Sequence, residues 1–83
     1  MIIEAEKIFY SETGFVIHCD NDDIIKSFNF KNIDTMELET ETTEGVIFRF
    51  NIGIARYEFN VWEIETYNSA KAILNKFSEY GAK

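Results

Sequence analysis

The sequence predicts an α+β fold, in which a strongly bent antiparallel sheet or partly open β-barrel of about six strands precedes one C-terminal helix. Two observations predict it. Apolar and polar residues alternate along most of residues 2–61, which is typical of strands with one buried face. From residue 66 onward the apolar residues recur mostly at every third position, which is typical of a helix. A chain of 83 residues supplies one core, so we expect a single domain over residues 1–83.

Strand boundaries follow from the alternation and from the polar turns between the runs. We place the strands at about residues 2–10, 15–19, 24–30, 33–40, 45–51 and 54–61. In the first strand Lys7 interrupts the apolar parity, which indicates either a strand end that is apolar on both faces or a β-bulge. The strongest alternation runs from Val46 to Val61, where Asn51-Ile52-Gly53 supplies a hairpin turn.

The helix is predicted over about residues 66–80. Thr66 or Asn68 is suited to cap its start, and Gly81 suits the position just past its end. A helix of this length is not stable alone in water, so its apolar stripe must dock on the sheet. The stripe consists of Tyr67, Ala70, Ile73, Leu74, Phe77 and Tyr80. We assign nine aromatic residues to the core: Phe9, Phe15, Phe28, Phe30, Phe48, Phe50, Tyr57, Phe59 and Phe77.

Several segments have the order seen in one known family. They are the early β-turn-β KIFYSETGFVIHC, the strand that follows Phe30-Lys31-Asn32, the late hairpin and the C-terminal amphipathic helix. This order resembles the pleckstrin-homology-like barrel, in particular its short bacterial versions, although that family has seven strands and we predict six. Lipid-binding members hold phosphoinositides with basic residues near the first hairpin loop, where this chain has Ser11-Glu12-Thr13-Gly14. The resemblance therefore implies protein binding rather than lipid binding.

The formal net charge is −7, and every acid except Glu79 lies in residues 1–65. A field of this sign repels nucleic acid and anionic membranes and attracts basic surfaces. We therefore expect a protein partner with a basic surface, no direct nucleic-acid binding and no membrane binding. One cysteine, no visible secretory signal and no long apolar run favour a cytoplasmic location.

Residues for catalysis or metal binding form no recognisable site. His18 and Cys19 are neighbours on a strand, so their side chains point to opposite faces and cannot form a dyad. Asp20-Asn21-Asp22-Asp23 lacks the spacing and the closing glutamate of a calcium loop, and we interpret it as a solvated turn. We therefore expect no enzymatic activity, no cofactor and no metal.

The clearest candidate site is a row of carboxylates before the late hairpin: Glu37, Glu39, Glu41 and Glu44. Glutamates two apart on a strand lie about 7 Å apart on one face, comparable to successive nucleic-acid phosphates. The alternative interpretation is a solvated face whose charges protect a strand edge from pairing. Trp62 either plugs one end of the barrel or, if exposed, anchors an interface.

Three hypotheses follow. The leading one is a non-enzymatic inhibitor whose acidic face occludes a basic surface of a nucleic-acid enzyme, as phage or bacterial anti-CRISPR, anti-defence or toxin immunity proteins do. The second is a pleckstrin-homology-like adaptor that binds a peptide or protein through a strand edge or the helix. The third is a homo-oligomeric assembly protein in which an edge pairs with a copy of itself.

Overall fold

A computed structural model describes residues 2–19, 25–43 and 45–81, and in that part of the chain six strands precede one helix. The bounds are β1 Ile3–Tyr10, β2 Gly14–Cys19, β3 Ile25–Asn29, β4 Thr35–Thr42, β5 Gly45–Ile52, β6 Ala55–Asn60 and helix α1 Ile64–Gly81. A single turn of 3₁₀ helix, Phe30–Asn32, joins β3 to β4. The predicted α+β class, with a partly open, barrel-like sheet and a C-terminal helix, is confirmed.

The sheet is mixed, with the strand order β3-β2-β1-β6-β5-β4. Four neighbouring pairs are antiparallel, but β1 and β6 run parallel through the pairs Ile3–Phe59 and Glu4–Asn60. The expectation of a wholly antiparallel sheet is therefore wrong at this one junction. The reason is that the chain forms two meanders, β1-β2-β3 and β4-β5-β6, and the second adds its last strand to the first strand of the other. As a result β3 and β4, consecutive in the chain, lie at opposite edges.

A β-bulge in β1 resolves the ambiguity left by its sequence. Ala5 pairs with Cys19 and Lys7 pairs with His18, so that Glu6 is the extra residue. Ala5 and Ile8 are both buried although they are three apart, because the bulge reverses the side-chain phase between them. Of the two interpretations, the bulge is confirmed.

The core lies between the inner faces of the two meanders. The Phe28 ring of β3 packs edge-on against Phe50 and Tyr57, with centroid distances of 4.7 and 5.1 Å. Such edge-on pairs add to the stability that the buried ring area provides. The assignment of Phe9 to the core is wrong: its side chain is 56% exposed. The bulge turns Phe9 to the outer face of β1, where its ring meets His18.

Helix α1 begins two residues before the predicted start and packs against β1 and β4. Thr66 is buried within its first turn, where the hydroxyl donates to the backbone oxygen of Glu63 at 3.0 Å, so it is not the cap. Ala70 and Ile73 are fully buried, as the helical stripe predicts. In the described part of the chain no helix has the length and apolar character that a membrane crossing requires.

The fourth strand begins at Thr35 and not at residue 33. The 3₁₀ turn directs Ile33 into the core, and the backbone N–H of Asp34 then donates to the oxygen of Asn51, which aligns β4 with β5. The polar turn Asp20-Asn21-Asp22-Asp23 and the predicted strand residue Ile24 lie outside the described residues.

Candidate protein-binding surface

The outward side chains of β1, β6, β5 and β4 form a continuous surface that we call the acidic face. Backbone pairing places its members in rows that cross these strands. They lie on the face of the sheet that points away from the buried phenylalanines of β5 and β6. The acidic face comprises Glu4, Thr35, Glu37, Glu39, Arg49, Asn51, Arg56, Glu58, Asn60 and Trp62, whereas Ile47, which lies among them, is buried. It contains four glutamates and two arginines, so carboxylates are in excess.

Arg49 holds three of these glutamates together. Its Nη1 lies 2.7 Å from Glu37 Oε1 and 2.8 Å from Glu39 Oε2, and its Nε lies 2.9 Å from Glu58 Oε2. Register explains the cluster, because Glu37 and Glu58 are the direct pairing partners of Arg49 on the two flanking strands.

The electrostatics of the cluster follow from its unequal burial. Only 15% of the Arg49 side chain is exposed, whereas Glu37 and Glu39 keep 61% and 45%. Hydrogen bonds to these glutamates and to Glu58 raise the pKa of Arg49, which therefore stays charged. The hydrogen bond from Arg49 also lowers the pKa of Glu58 below its usual range. The contact between Arg49 and Glu58 thus favours the ionised form of both groups.

The predicted row of carboxylates is only partly brought together. Glu37 and Glu39 share a face and share Arg49, which neutralises part of their charge. A register shift between Glu39 and Thr42 ends the regular alternation before Glu41, which is exposed. Glu44 lies outside the described residues. The row therefore extends regularly over two glutamates, because a bulge in β4 changes the phase beyond them.

Trp62 is 65% exposed, so the interpretation as a plug of the barrel is wrong. Val61 is fully buried instead, which turns the next side chain outward. Two hydrogen bonds hold Trp62 in place: its indole N–H donates to Glu4 Oε1 at 2.9 Å, and its backbone N–H donates to Asn60 Oδ1 at 3.1 Å. An exposed indole restrained in this way is preorganised for contact.

The acidic row and Trp62 belong to the same surface. Successive backbone pairs join Glu39 to Ile47, Ile47 to Asn60, and Asn60 to Glu4. Three strand spacings therefore separate Glu39 from Glu4, a distance of about 14 Å. Trp62 bonds to Glu4 at one end of this row, and the Arg49 cluster begins at the other. The two predicted features therefore lie on the same side of the sheet, across four strands in register, with the buried Ile47 between them.

His18 and Cys19 lie on opposite faces of β2, as predicted. His18 contacts the exposed Phe9 ring at a centroid distance of 5.4 Å. Cys19 is buried, and this burial raises the pKa of its thiol, which disfavours the nucleophilic thiolate. Neither side chain is placed to assist the other.

The sequence pattern does not reveal the organising role of Arg49 or the contact made by Glu4. Arg49 is the only basic residue of β5 and alternates with buried phenylalanines, a signal that it faces outward. Its three partners come from two flanking strands and depend on register, which the alternation of one strand does not reveal. Glu4 reaches Trp62 only because β1 and β6 pair, at a separation of 58 residues between the two side chains.

Comparison with protein-family models, with curated proteins and with solved structures finds no match to this chain.

Proposed function

We propose that this protein is a non-enzymatic binding module whose acidic face docks on a basic surface of a partner protein. The observation that carries this proposal is the exposed and hydrogen-bonded Trp62, which stands among carboxylates. Tryptophan supplies a large share of the binding energy in many interfaces, and a rigid indole loses little entropy on binding. In its most concrete form the module is a cytoplasmic inhibitor that occludes the nucleic-acid-binding surface of an enzyme.

The acids around Trp62 supply the charge in this proposal. Glu4 accepts the indole hydrogen bond, and Glu63 and Glu65 follow Trp62 and are exposed. Ile64, 69% exposed, adds apolar area between them. An apolar centre with a charged rim favours a partner that presents lysines and arginines around an apolar pocket.

Glu37, Glu39 and Glu41 form the second part of the proposed contact, and Glu44 follows them in the sequence. Arg49 positions the first two, and both remain exposed. Because a carboxylate has about four acceptor sites, Glu37 and Glu39 can accept hydrogen bonds from a partner while bound to Arg49. Their role is to orient the partner, whereas Trp62 anchors it.

The chain contains one tryptophan, so Trp62 is a built-in fluorescent probe of this contact. A cross-linked partner recovered from the native host and then purified would be titrated at low and high salt. We expect the Trp62 emission to change on binding. Trp62→Ala should weaken binding by about tenfold or more, as for an interface hot spot. Glu63→Lys with Glu65→Lys should slow association, and added salt should have the same effect on the unchanged protein.

Glu79→Lys is the matched control for Glu63→Lys made alone, since each replaces one carboxylate with one ammonium and position 79 is exposed near the end of α1. The proposal fails if Trp62→Ala leaves the affinity unchanged, or if Glu79→Lys slows association as much as Glu63→Lys alone. A partner that turns over a substrate only with this protein present would also contradict an inhibitory role.

A further inference from the structure

The loop between β1 and β2 and the adjoining end of β3 enclose a cleft of about 400 Å³. This volume lies within the range of pockets that hold small molecules. The cleft belongs to the first meander and shares no lining residue with the acidic face. It is therefore a second surface feature that the proposed contact with a basic protein does not use.

Backbone register explains why this part of the sheet is hollow. Phe9, Val16 and Ser27 form one row across the outer face of β1, β2 and β3. Gly14 and Asn29 pair further along the same two strands and on the same face, since they lie two residues from Val16 and Ser27. Gly14 has no side chain, so the outer face is recessed there.

Aromatic rings form one part of the lining, which includes Phe9, Tyr10, Phe15 and Phe28. Two of them, Phe9 and Tyr10, are 56% and 45% exposed. Neighbouring side chains restrain both. His18 packs against the Phe9 ring, and Lys76 Nζ lies 5.9 Å from the centre of the Tyr10 ring while it bonds to Glu12 at 2.8 Å. Rings held in this way lose little freedom when a ligand packs against them.

Neutral hydrogen-bonding side chains form the other part of the lining: Ser11, Thr13, Ser27, Asn29 and Asn32. Asn29 Oδ1 accepts the backbone N–H of Lys31 at 3.2 Å, so its amide N–H groups remain to donate. Asn32 is exposed at the end of the 3₁₀ turn. None of the described residues that line the cleft is charged, although 28% of the chain is.

This combination of groups restricts the chemistry of the ligand. A wholly apolar molecule would remove amide and hydroxyl groups from water without replacing their hydrogen bonds, which costs free energy. A charged molecule would meet no counter-ion in the cleft, and the net charge of −7 would also repel an anion. The ligand that fits is neutral, with an apolar face for the rings and a rim of groups that both donate and accept hydrogen bonds.

We propose that this cleft binds a neutral carbohydrate through one hexopyranose ring. The C–H face of the sugar ring packs against Phe9 and Tyr10. The sugar hydroxyls, each both a donor and an acceptor, bond to Asn29, Asn32 and the neighbouring hydroxyl side chains. This site is separate from the acidic face, so either proposal can fail without the other.

The test is a titration of the isotope-labelled protein with neutral disaccharides of glucose, galactose, mannose or N-acetylglucosamine, followed by amide NMR. We expect at least one disaccharide to shift the amides of residues 9–16 and 27–32 and to leave those of the acidic face unchanged. Phe9→Ala should weaken its binding about fivefold or more through the lost ring contact, and Asn32→Ala about threefold or more through a lost hydrogen bond. Glucose 6-phosphate and glucuronate should cause no shift.

Ile25→Ala is the matched control for Phe9→Ala, because Ile25 is 58% exposed on the same outer face but does not line the cleft. Ile25→Ala and Trp62→Ala should both leave sugar binding unchanged, and circular dichroism should show that every variant is folded. The proposal is overturned if no disaccharide shifts the cleft amides, if Ile25→Ala acts as strongly as Phe9→Ala, or if charged sugars bind as well as neutral ones. Shifts caused by indole or adenosine but by no sugar would identify a planar aromatic ligand and would also overturn it.

Discussion

Among single residues, Arg49 has the largest influence on the acidic face. It is mostly buried beneath three carboxylates that belong to two different strands. Its planar guanidinium donates to all of them at once, which a lysine ammonium does with less geometric specificity. The face is therefore a fixed arrangement of charges rather than a set of independent glutamates.

Arg49→Met should lower the free energy of unfolding by about 1–3 kcal/mol, because it leaves Glu37, Glu39 and Glu58 close together without a cation. Urea denaturation at pH 7 measures this. Arg56→Met removes the same charge from an exposed position one row away and should change the stability by less than about 0.5 kcal/mol. Equal effects of the two substitutions would show that Arg49 contributes to stability through its charge alone and not through its contacts with the three glutamates.

The same substitution should alter the response to acid. The pKa of Glu58 is lower in the folded protein than in the unfolded chain. Its contribution is therefore complete above the usual glutamate pKa of about 4.3 and is lost as the pH falls through the lowered value. Denaturation curves from pH 7 downward should show a steeper loss of stability in the unchanged protein than in Arg49→Met. A parallel loss in both would contradict the assignment.

Gly14 is a second residue whose substitution should affect stability, because a single added carbon atom would clash with a neighbouring strand. A Cβ there would lie 2.1 Å from the backbone oxygen of Phe28 on the neighbouring strand. Gly14→Ala should therefore destabilise the protein by about 3 kcal/mol, since β2 and β3 would have to separate. Gly81→Ala, where no atom lies within 4 Å, should be neutral or slightly stabilising. Thermal unfolding of the two variants distinguishes them, and a stable Gly14→Ala protein would contradict the close approach.

At the scale of elements, α1 depends on the sheet for its stability. Ile73 and Ala70 are fully buried against it, whereas Asn75 faces solvent. Ile73→Ala should cost about 2–5 kcal/mol through lost burial and the cavity that remains. Asn75→Ala should change the stability by about 0.5 kcal/mol or less. Circular dichroism during urea denaturation measures both, and helix and sheet signals should disappear together in a cooperative transition.

The elements themselves were largely predictable, because alternation and helical spacing are local properties. The hairpin of β5 and β6 follows the expectation, and Gly53 has a positive φ of 60° at its turn. The parallel pairing of β1 with β6 was not predictable in this way. It joins Ile3 to Phe59, and no local pattern specifies which distant strand will pair with β1.

At the scale of the whole molecule, negative charge should control how readily dissolved anions reach Trp62. Iodide should quench its fluorescence poorly relative to neutral acrylamide, because Glu4, Glu63 and Glu65 repel the anion, and added salt should reduce the difference. Glu63→Lys with Glu65→Lys should raise iodide quenching and leave acrylamide quenching unchanged. If iodide and acrylamide quench in the same ratio in both proteins, the carboxylates do not control access to Trp62.

The candidate site was predictable in its ingredients but not in its arrangement. Composition and strand parity indicated Glu37, Glu39 and Trp62. Trp62 is exposed because the preceding residue, Val61, points into the core. The pairing of Arg49 with its glutamates depends on the register of three neighbouring strands. These are properties of packing between elements, which alternation within one element does not specify.

The short parallel junction between β1 and β6 has a consequence for synthesis on the ribosome. The first meander is complete once β3 has left the exit tunnel, yet β1 lacks its second neighbour until residues 59 and 60 emerge. Until then Phe15 and Phe28 have no partner rings from β5 and β6 to cover them. Between the emergence of β3 and that of β6 the nascent chain therefore exposes an aromatic surface, and the sheet is complete only when β6 pairs with β1.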